Sequence, residues 1–394
     1  DILITEDKKI HQKAEKLGIA DKVYKIDSFL EKIFSEHPDL VDYKVLNVQK
    51  KQFGYINLND NFFDSLKEDY NGFDKWFIKK SDDLAYVTTN KANGLILSFL
   101  YLKVENKEEN YTDIIPTFTP KKRLKIGTFK VINNGLRLGE RFLKIIFDNA
   151  LVNKVDEIYV TIFDHRDEQK RLIDLMEQWG FILWGMKGNE RVYVRDFKPD
   201  FDINDLKSIY PYVSKKSGIY IVPIYESYHT ELLPDSILNN ESPAEFVEDF
   251  PHRNGISKVY VSRAMKPHPK RGDLLIFYRT GGYYKSVIST IGIVEEVIYN
   301  IDKEEDFLRH CRKGSVFPEH ELIAMWNYDK FRKPFVVRFL YSYSFPHRIN
   351  MKQLIDLGIL AGVDDAPRGY KPITEEQFNL ILKETKSDES FIID

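Results

Sequence analysis

The chain of 394 residues contains a single cysteine, Cys311, and has no long apolar run. One cysteine excludes an internal disulfide and a zinc site built from several thiolates. No apolar run reaches the roughly 18 residues that a membrane-spanning helix needs. No secretory signal peptide is present, so we expect a cytoplasmic protein. Because the net charge is −3, any nucleic-acid-binding surface must be local.

The remaining composition is that of a folded, multidomain protein. Hydrophobic residues make up 43% of the chain and charged residues 30%, as in soluble globular domains. The length accommodates about two to four domains of ordinary size. The chain starts at Asp1 rather than at methionine, which indicates a processed or truncated segment.

The most informative stretch covers residues 122–153. Alternating apolar residues over 124–131 predict a strand, and apolar residues over 142–150 recur at helical spacing. The turn between them contains Gly135 and Gly139. A strand, a glycine-containing turn and a helix start present outward-facing backbone N–H groups that suit a phosphate or pyrophosphate. An ordinary strand–helix junction is the alternative interpretation.

The elements after this helix carry a family resemblance. Residues 156–163 predict a strand, 166–179 an amphipathic helix that ends at Gly180 and Phe181, and 182–194 two further strands. This order resembles the GNAT acetyltransferase superfamily. In that family a strand leads to an Arg/Gln-x-x-Gly-x-Gly/Ala turn that binds the pyrophosphate of acetyl-CoA, and a Gly-Phe pair closes the next helix. Gly139 matches the glycine that opens the helix.

The resemblance spans roughly residues 45–197 and implies acetyl-CoA as a cosubstrate. It places the pantetheine arm along the strand and the pyrophosphate at the turn. The cofactor-binding residues that it implies are Thr128, Phe129, Val131, Asn134, Arg137, Leu138, Gly139 and Glu140. Asn134 and Arg137 depart from the family pattern, which has Arg or Gln and Gly there. Met176 stands where many members have a general-acid tyrosine.

Two candidate catalytic residues, Asp164 and His165, follow the strand at 156–163. In the GNAT architecture this strand splays from the central strand and opens the gap where acetyl-CoA and the acceptor meet. An ammonium acceptor must lose a proton, and Asp or His can take it directly or through water. Alternatively, Asp164 caps the helix that starts at Arg166, and His165 is solvated.

The N-terminal residues resemble the last part of a PIN nuclease domain. Residues 2–5 predict a buried strand, and Thr5 and Asp7 match the Thr-x-Asp that supplies an acid to the Mg²⁺/Mn²⁺ cluster of that family. Two-metal chemistry requires several converging carboxylates, which Asp7 alone cannot supply. We therefore expect no metal site. In the alternative interpretation Asp7 caps a helix of an α/β appendage.

After residue 200 the pattern changes to short strands and glycine-containing turns, which predicts a small β-barrel. The predicted strands lie at 218–224, 258–261, 273–279, 288–297 and 335–343. Arg271, Gly272 and Asp273 before one strand, and Gly292 within the next, resemble the PUA-like superfamily, in particular its ASCH and EVE branches. Barrels of these branches are often tied to RNA or modified bases.

A basic stretch at 255–290 lies within this region. It holds seven lysines and arginines against one acid, a net charge of +6, with tyrosines interleaved. Phosphates attract such cations, and unpaired bases stack on aromatic faces. The predicted nucleic-acid-binding residues are Lys266, Lys270, Arg271, Arg279, Tyr283, Tyr284 and Lys285. The alternative is a solvated basic face with tyrosines in the core.

The sequence thus predicts an α/β plus β protein. Residues 1–44 form a partial PIN-like α/β segment, 45–200 a GNAT-like mixed sheet with helices, and 201–394 a PUA-like β-barrel. The predicted activity is acetyl transfer from acetyl-CoA to an amine, with the barrel presenting RNA or a nucleotide-linked acceptor. Two alternatives stay open. One is a nucleic-acid-binding regulatory protein with an inactive GNAT domain, and the other a toxin-like protein whose PIN nuclease domain is incomplete in this chain.

Overall fold

The computed structural model describes residues 2–5, 7–19, 22–24, 29, 48–90, 94–132, 137–198, 200–236, 253, 255–265, 268–312 and 314–393. Asn134 and Lys266, two of the predicted site residues, lie outside these residues. None of the helices within the described ranges combines the length and the apolar character that a membrane crossing requires.

At the N-terminus a short parallel pair of strands, β1 (Leu3–Ile4) and β2 (Val23–Tyr24), is connected by α1 (Lys8–Lys16). The prediction of a buried strand is wrong, because the two side chains of β1 are 48% and 44% exposed. The Asp7 carboxylate accepts a hydrogen bond from the N–H of Lys9 at 2.7 Å. This contact is the helix-capping role that the alternative interpretation gave Asp7.

Within the described residues, seven strands form sheet A in the order β3-β4-β5-β6-β7-β9-β8. They are β3 (Gln49–Gln52), β4 (Leu84–Thr89), β5 (Ile96–Glu105), β6 (Arg123–Val131), β7 (Glu157–Ile162), β8 (Ile182–Lys187) and β9 (Glu190–Asp196). β6 and β7 run parallel, and the other neighbours are antiparallel. The predicted mixed sheet of residues 45–200 is therefore present.

Different helices cover the two faces of sheet A. On one face α2 (Asp64–Asp69) and α3 (Phe73–Lys79) lie over an aromatic cluster that includes Phe63, Phe77 and Phe99. On the other face α4 (Leu138–Val152) and α5 (Asp167–Gln178) bury apolar residues at helical spacing, among them Phe142 and Met176. Each face thus has its own apolar layer, and a gap within the sheet would connect the two sides.

Six further strands of the described residues form sheet B in the order β11-β14-β13-β12-β10-β15. They are β10 (Ile219–Ile224), β11 (Ser257–Ser262), β12 (Leu274–Arg279), β13 (Val287–Ile298), β14 (Phe335–Ser344) and β15 (Lys371–Ile373). The helices around it are α6 (Leu206–Ile209), α7 (Glu226–Leu232), α8 (Glu304–Cys311), α9 (Glu319–Asn327), α10 (Met351–Asp356) and α11 (Glu375–Glu384). β10 and β12 run parallel, and β11 and β15 are edge strands in the pairing of the described residues.

A continuous apolar core joins the two sheets. Tyr210 packs edge-on against Phe147 at 5.4 Å and against Trp179 at 5.2 Å, and its hydroxyl donates to the carbonyl of Tyr341 at 2.7 Å. The strands of the two sheets lie on either side of residue 200, while this cluster continues across it. The division into domains at residue 200 stays a prediction.

Candidate functional site

A gap opens in sheet A between its two parallel strands. β6 and β7 pair from Arg123 and Glu157 as far as Ile126 and Val160. β6 then continues to Val131 and β7 to Ile162 without further pairing between them in the described residues. The predicted splaying of this strand is confirmed. Peptide groups of β6 that face β7 beyond this point have no strand partner and can bind a ligand chain.

The closed end of the pair is held by a buried ion pair. The Arg123 side chain is 1% exposed and donates from Nε to Glu157 at 2.8 Å. Its guanidinium lies 4.2 Å from the ring centroid of Phe118. Lys121 forms a second ion pair with the same carboxylate. These contacts keep β6 and β7 together on one side of the point where they part.

A β-bulge lies at the parting point. Tyr101 pairs with Thr128 and Leu102 with Ile126, so Gly127 is the extra residue of β6. A Cβ at Gly127 would lie 2.6 Å from Cδ1 of Tyr101. A bulge bends its strand and increases the local twist, which helps β6 to leave β7. Sequence reasoning missed it, although an isolated glycine in a strand pattern indicates a bulge.

The gap is part of a cleft of about 670 Å³ that passes from one face of sheet A to the other. The first turn of α4 and the side chains of Leu172 and Leu175 on α5 line one end. Tyr70, which follows α2, and Trp76 on α3 line the other. The cleft is therefore a passage with two entrances, and β6 forms its floor through residues 125–131.

The first turn of α4 supplies an anion-binding geometry at one entrance. Arg137 has the left-handed φ of 56° and is the N-cap of the helix. The first bond of the i to i−4 type joins the N–H of Arg141 to the carbonyl of Arg137 at 3.3 Å. The amides of Leu138 and Gly139 lie ahead of it at the positive end of the helix dipole.

Arg137 and Glu140 of this turn line the cleft and also contact the sheet B unit, by which we mean sheet B with helices α6–α11. Arg137 donates to both carboxylate oxygens of Glu140 at 2.8 and 2.7 Å, and its Nη1 donates to the carbonyl of Ser257 at 2.7 Å. Glu140 also accepts from the N–H of Ile256 at 2.9 Å. A pyrophosphate at this turn would thus meet chiefly backbone amides.

Gly139 is small for a reason that the sequence did not show. A Cβ at this position would lie 2.6 Å from Cδ2 of Leu175 on α5. The glycine allows α4 and α5 to approach each other beside the cleft. Because the contacting atom is the end of a flexible side chain, this contact can yield to a small substituent.

A polar cluster that the sequence did not reveal lines the cleft. The Tyr70 hydroxyl donates to Oε1 of Glu190 at 2.8 Å, and the Thr161 hydroxyl donates to the same oxygen at 3.0 Å. Burial, followed by the charge of Glu190, raises the pKa of Tyr70, so its phenol stays protonated. Glu190 begins β9, and no motif or spacing connects it with a residue 120 positions earlier.

The two predicted catalytic residues lie beside the cleft and do not line it. Asp164 forms an ion pair with Nε of Arg191 at 2.6 Å. His165 lies 3.0 Å from Oδ1 of Asp69, a carboxylate that does line the cleft. The capping interpretation of Asp164 is wrong, because the N-cap of α5 is Arg166, whose N–H donates to the side chain of Gln169 at 3.0 Å.

Lysines gather at the entrance between α3 and β5. Lys80 pairs with Asp83 at 2.8 Å and Lys103 with Glu105 at 3.0 Å. Burial lowers the pKa of Lys125, which lines the cleft near the parting point. Lys80 and Lys103 at this entrance thus already pair with protein carboxylates.

The predicted nucleic-acid-binding residues fall into different environments. Lys270 is exposed and lines a second cavity between the two units. Arg271 donates to three backbone carbonyls, of Ile203 at 2.7 Å, Asn204 at 2.9 Å and Glu295 at 2.7 Å. Arg279 is 0% exposed and forms an ion pair with Glu226, so a role in phosphate contact does not fit its position.

The predicted stacking tyrosines are packed against other protein groups. The ring of Tyr284 lies 4.7 Å from that of Tyr283 and 5.1 Å from that of Tyr24 in the N-terminal strand pair. Lys285 is half-buried, and its carbonyl accepts from Arg279 at 3.2 Å. Among the residues that the structure describes, no group of three or more histidine, cysteine or acidic side chains is arranged to hold a metal ion.

Comparison with known proteins finds similarity at the level of structure. No protein-family model and no curated protein matches the chain. A GNAT-family acetyltransferase from Listeria monocytogenes is 12% identical and has a TM-score of 0.27, and the match covers 40% of this chain and 98% of that one. Naa50 from Arabidopsis thaliana, solved with the bisubstrate analogue CoA-Ac-MVNAL, is 17% identical over 38% and 99% of the two chains, with a TM-score of 0.25.

An ASCH protein from Zymomonas mobilis is also similar in structure. It is 10% identical and has a TM-score of 0.32, and the match covers 42% of this chain and 94% of that protein. The structural neighbours thus include both GNAT acetyltransferases and an ASCH protein, each matching about two fifths of the chain.

Proposed function

We propose that the protein transfers an acetyl group from acetyl-CoA to an amine in the cleft of sheet A. The observation that carries the proposal is the parting of the parallel strands β6 and β7 beside a helix N-terminus. The peptide groups of residues 128–131 that face β7 suit the amides of a pantetheine arm, and the amides of Leu138 and Gly139 suit the pyrophosphate of CoA. The acetyl thioester would then lie in the gap, with the acceptor entering from the α2–α3 face.

Glu190 is the proposed general base, with Tyr70 as its partner. The amine nitrogen attacks the acetyl carbon, a C–N bond forms, and the C–S bond to CoA breaks. The ammonium acceptor must lose two protons to become an amide, so Glu190 passes the first to solvent before the attack and takes the second from the nitrogen as the amide forms. Tyr70 donates its phenolic proton to the leaving sulfur and recovers one from Glu190, so the proton passes from nitrogen to sulfur. Thr161 holds the Glu190 oxygen in place through its hydroxyl.

The acceptor in this proposal is an amine that enters from the α2–α3 face. Lys103 and Lys125 line the entrance through which it would pass. The prediction that the acceptor is RNA or a nucleotide presented by the sheet B unit stays open. Lys270 lines a basic cavity beside that unit, and the positive charge of this cavity favours a bound polyanion.

Filling the gap tests the proposed binding mode. Val131 lines the cleft, whereas the next residue, Ile132, is 47% exposed and does not. We expect Val131→Trp to abolish acetyl-CoA binding in calorimetry and Ile132→Trp to leave it unchanged, with both variants keeping the wild-type melting temperature. Equal acetyl-CoA affinities for the two variants would remove the cleft from the proposal.

A further inference from the structure

A basic groove of about 940 Å³ lies between α5 and the sheet B unit. Of the described residues that line it, eight are lysine or arginine and three are glutamate, a surplus of five positive charges. Such a surplus on a chain of net charge −3 creates a local positive potential that attracts anions.

The groove begins where the cleft ends. Arg137 and Glu140 line both cavities and form the wall between them. Along α5, Leu175 lines the cleft, and Gln178 lines the groove. These positions are three residues, or ~4.5 Å, apart along the helix axis. A ligand whose diphosphate lies at the first turn of α4 would therefore reach the groove with the portion beyond its diphosphate.

Several cations of the groove already form ion pairs or hydrogen bonds with protein groups, whereas two exposed ones form neither with the described residues. Arg338 pairs with Glu296 at 2.9 Å and contacts His310 at 3.1 Å, and Lys207 lies 3.5 Å from Glu295. Within the described part of the chain, the exposed side chains of Lys270 and Arg312 have no hydrogen-bond or ion-pair partner. A dianionic phosphate is a natural partner for two such cations.

An aromatic surface borders the same groove. Tyr299 is 39% exposed, and its ring lies 5.1 Å from that of Phe335 and 5.1 Å from that of His268. Tyr299 and His268 both line the groove. Phe335 and His268 fix the position of the tyrosine, so its ring is a preformed stacking surface for a base.

We propose that this groove binds the adenosine 3′-phosphate end of CoA, with Lys270 and Arg312 holding the 3′-phosphate and Tyr299 the adenine. The proposal rests on the proposed function and assigns part of the CoA site to the sheet B unit. A nucleic-acid acceptor fits this groove less well. The Arg137–Glu140 wall would separate such an acceptor from the gap in which the thioester reacts.

CoA and dephospho-CoA, which lacks only the 3′-phosphate, test the proposal with the full chain. We expect the wild type to bind CoA roughly tenfold more tightly, as a charge-assisted phosphate contact in a partly solvated groove would give. Lys270→Ala/Arg312→Ala should bind both compounds equally and as weakly as the wild type binds dephospho-CoA. Lys330→Ala/Arg332→Ala, which removes two exposed cations outside both cavities, should keep the tenfold preference.

Four results would overturn the assignment, each in a different way. If the wild type binds neither compound, the proposed function fails together with it. Equal binding of both compounds by the wild type would keep CoA in the cleft but show that the 3′-phosphate makes no contact. A preference retained by Lys270→Ala/Arg312→Ala would place the phosphate elsewhere. If that variant instead loses affinity for a single-stranded RNA oligonucleotide, the groove belongs to nucleic acid.

Discussion

Each of the two sheets contains one pair of parallel strands in the described residues, and the two pairs behave differently. β10 and β12 stay paired over all six residues of each strand, and every side chain of β12 is buried. β6 and β7 pair over four residues and then part, although both strands continue. A passage for a ligand thus arises where hydrogen bonding between two neighbouring strands stops, although both strands continue and the core around them is kept. The following predictions test what keeps one pair closed and the other open.

The largest effect is expected from the polar cluster in the open part of sheet A. Glu190→Gln keeps the size of the side chain but removes the proposed base, so kcat should fall by about 10²–10⁴-fold, the usual contribution of general base catalysis. The release of CoA thiol in the presence of a panel of amines measures it. Asp164→Asn is the matched control, because this carboxylate lies beside the cleft, and its kcat should change less than about threefold. A larger loss for Asp164→Asn would restore the sequence-based assignment.

The closed end of β6 and β7 should depend on the Arg123–Glu157 ion pair. Arg123→Met leaves a buried carboxylate without its main partner, which costs about 3–5 kcal/mol of unfolding free energy. Chemical denaturation measures the free energy of unfolding of Arg123→Met and of a control variant, Lys198→Ala. Lys198 forms an exposed pair with Asp156 at 2.8 Å, for which we expect a loss of about 0–1 kcal/mol. Similar losses of unfolding free energy for the two variants would mean that the burial of the Arg123–Glu157 pair does not increase its effect on stability.

The joint between the two sheets should weaken in acid. Burial raises the pKa of Asp235, but the charge and hydrogen bonds of Arg141 outweigh it and lower the pKa from 3.8 to about 2. Because the folded-state pKa is depressed, the pair stabilises the fold above about pH 4, and this contribution is lost as the pH falls toward about 2. The loss is on the order of 2 kcal/mol.

Asp235→Asn removes this titration. The free energy of unfolding, measured across the same pH range, should fall less steeply in the variant than in the wild type, after the variant's lower stability at neutral pH is subtracted. Parallel pH profiles for the two proteins would show that the Arg141–Asp235 pair does not link the units in this way.

The smallest effect concerns the bulge at the parting point. Gly127→Ala places a methyl group against the ring of Tyr101, whose hydroxyl is held by Asp83 at 2.6 Å, so the ring cannot move freely. We expect a loss of about 1 kcal/mol, at the low end of overpacking costs. In Gly139→Ala the new methyl meets only the flexible tip of Leu175, and the change should stay within about 0.5 kcal/mol. Thermal melts of both variants measure the difference. A lower melting temperature for Gly127→Ala than for Gly139→Ala is expected if the Tyr101 ring is held rigidly and the Leu175 side chain can move.

Elements with a strong hydrophobic period could be predicted from the sequence. β6, α4, β7 and α5 all lie where alternation or helical spacing placed them, since each buries one face in a large core. The chemistry of the cleft could not be predicted. Tyr70 and Glu190 meet only because β9 pairs with β7 beside α2, and such a contact leaves no trace in local spacing.

Charge was also a poor guide to exposure. Arg279 and Arg271 were chosen as phosphate contacts because they lie in a basic stretch, yet one is buried on Glu226 and the other binds backbone carbonyls. Net charge counts residues along the chain, whereas ion pairing depends on partners brought in by the fold. The tyrosines beside them were assigned to stacking, but Tyr284 packs on Tyr24.

The core that runs across residue 200 sets a limit on modularity. Phe147 and Trp179 meet Tyr210 there, and Tyr210 in turn binds the backbone of β14. If the two units were expressed separately, each would expose to water an apolar surface that is buried in the full chain. An exchange of either unit for that of another protein would need a matching set of rings, so the two halves would have to be inherited, and engineered, as a pair.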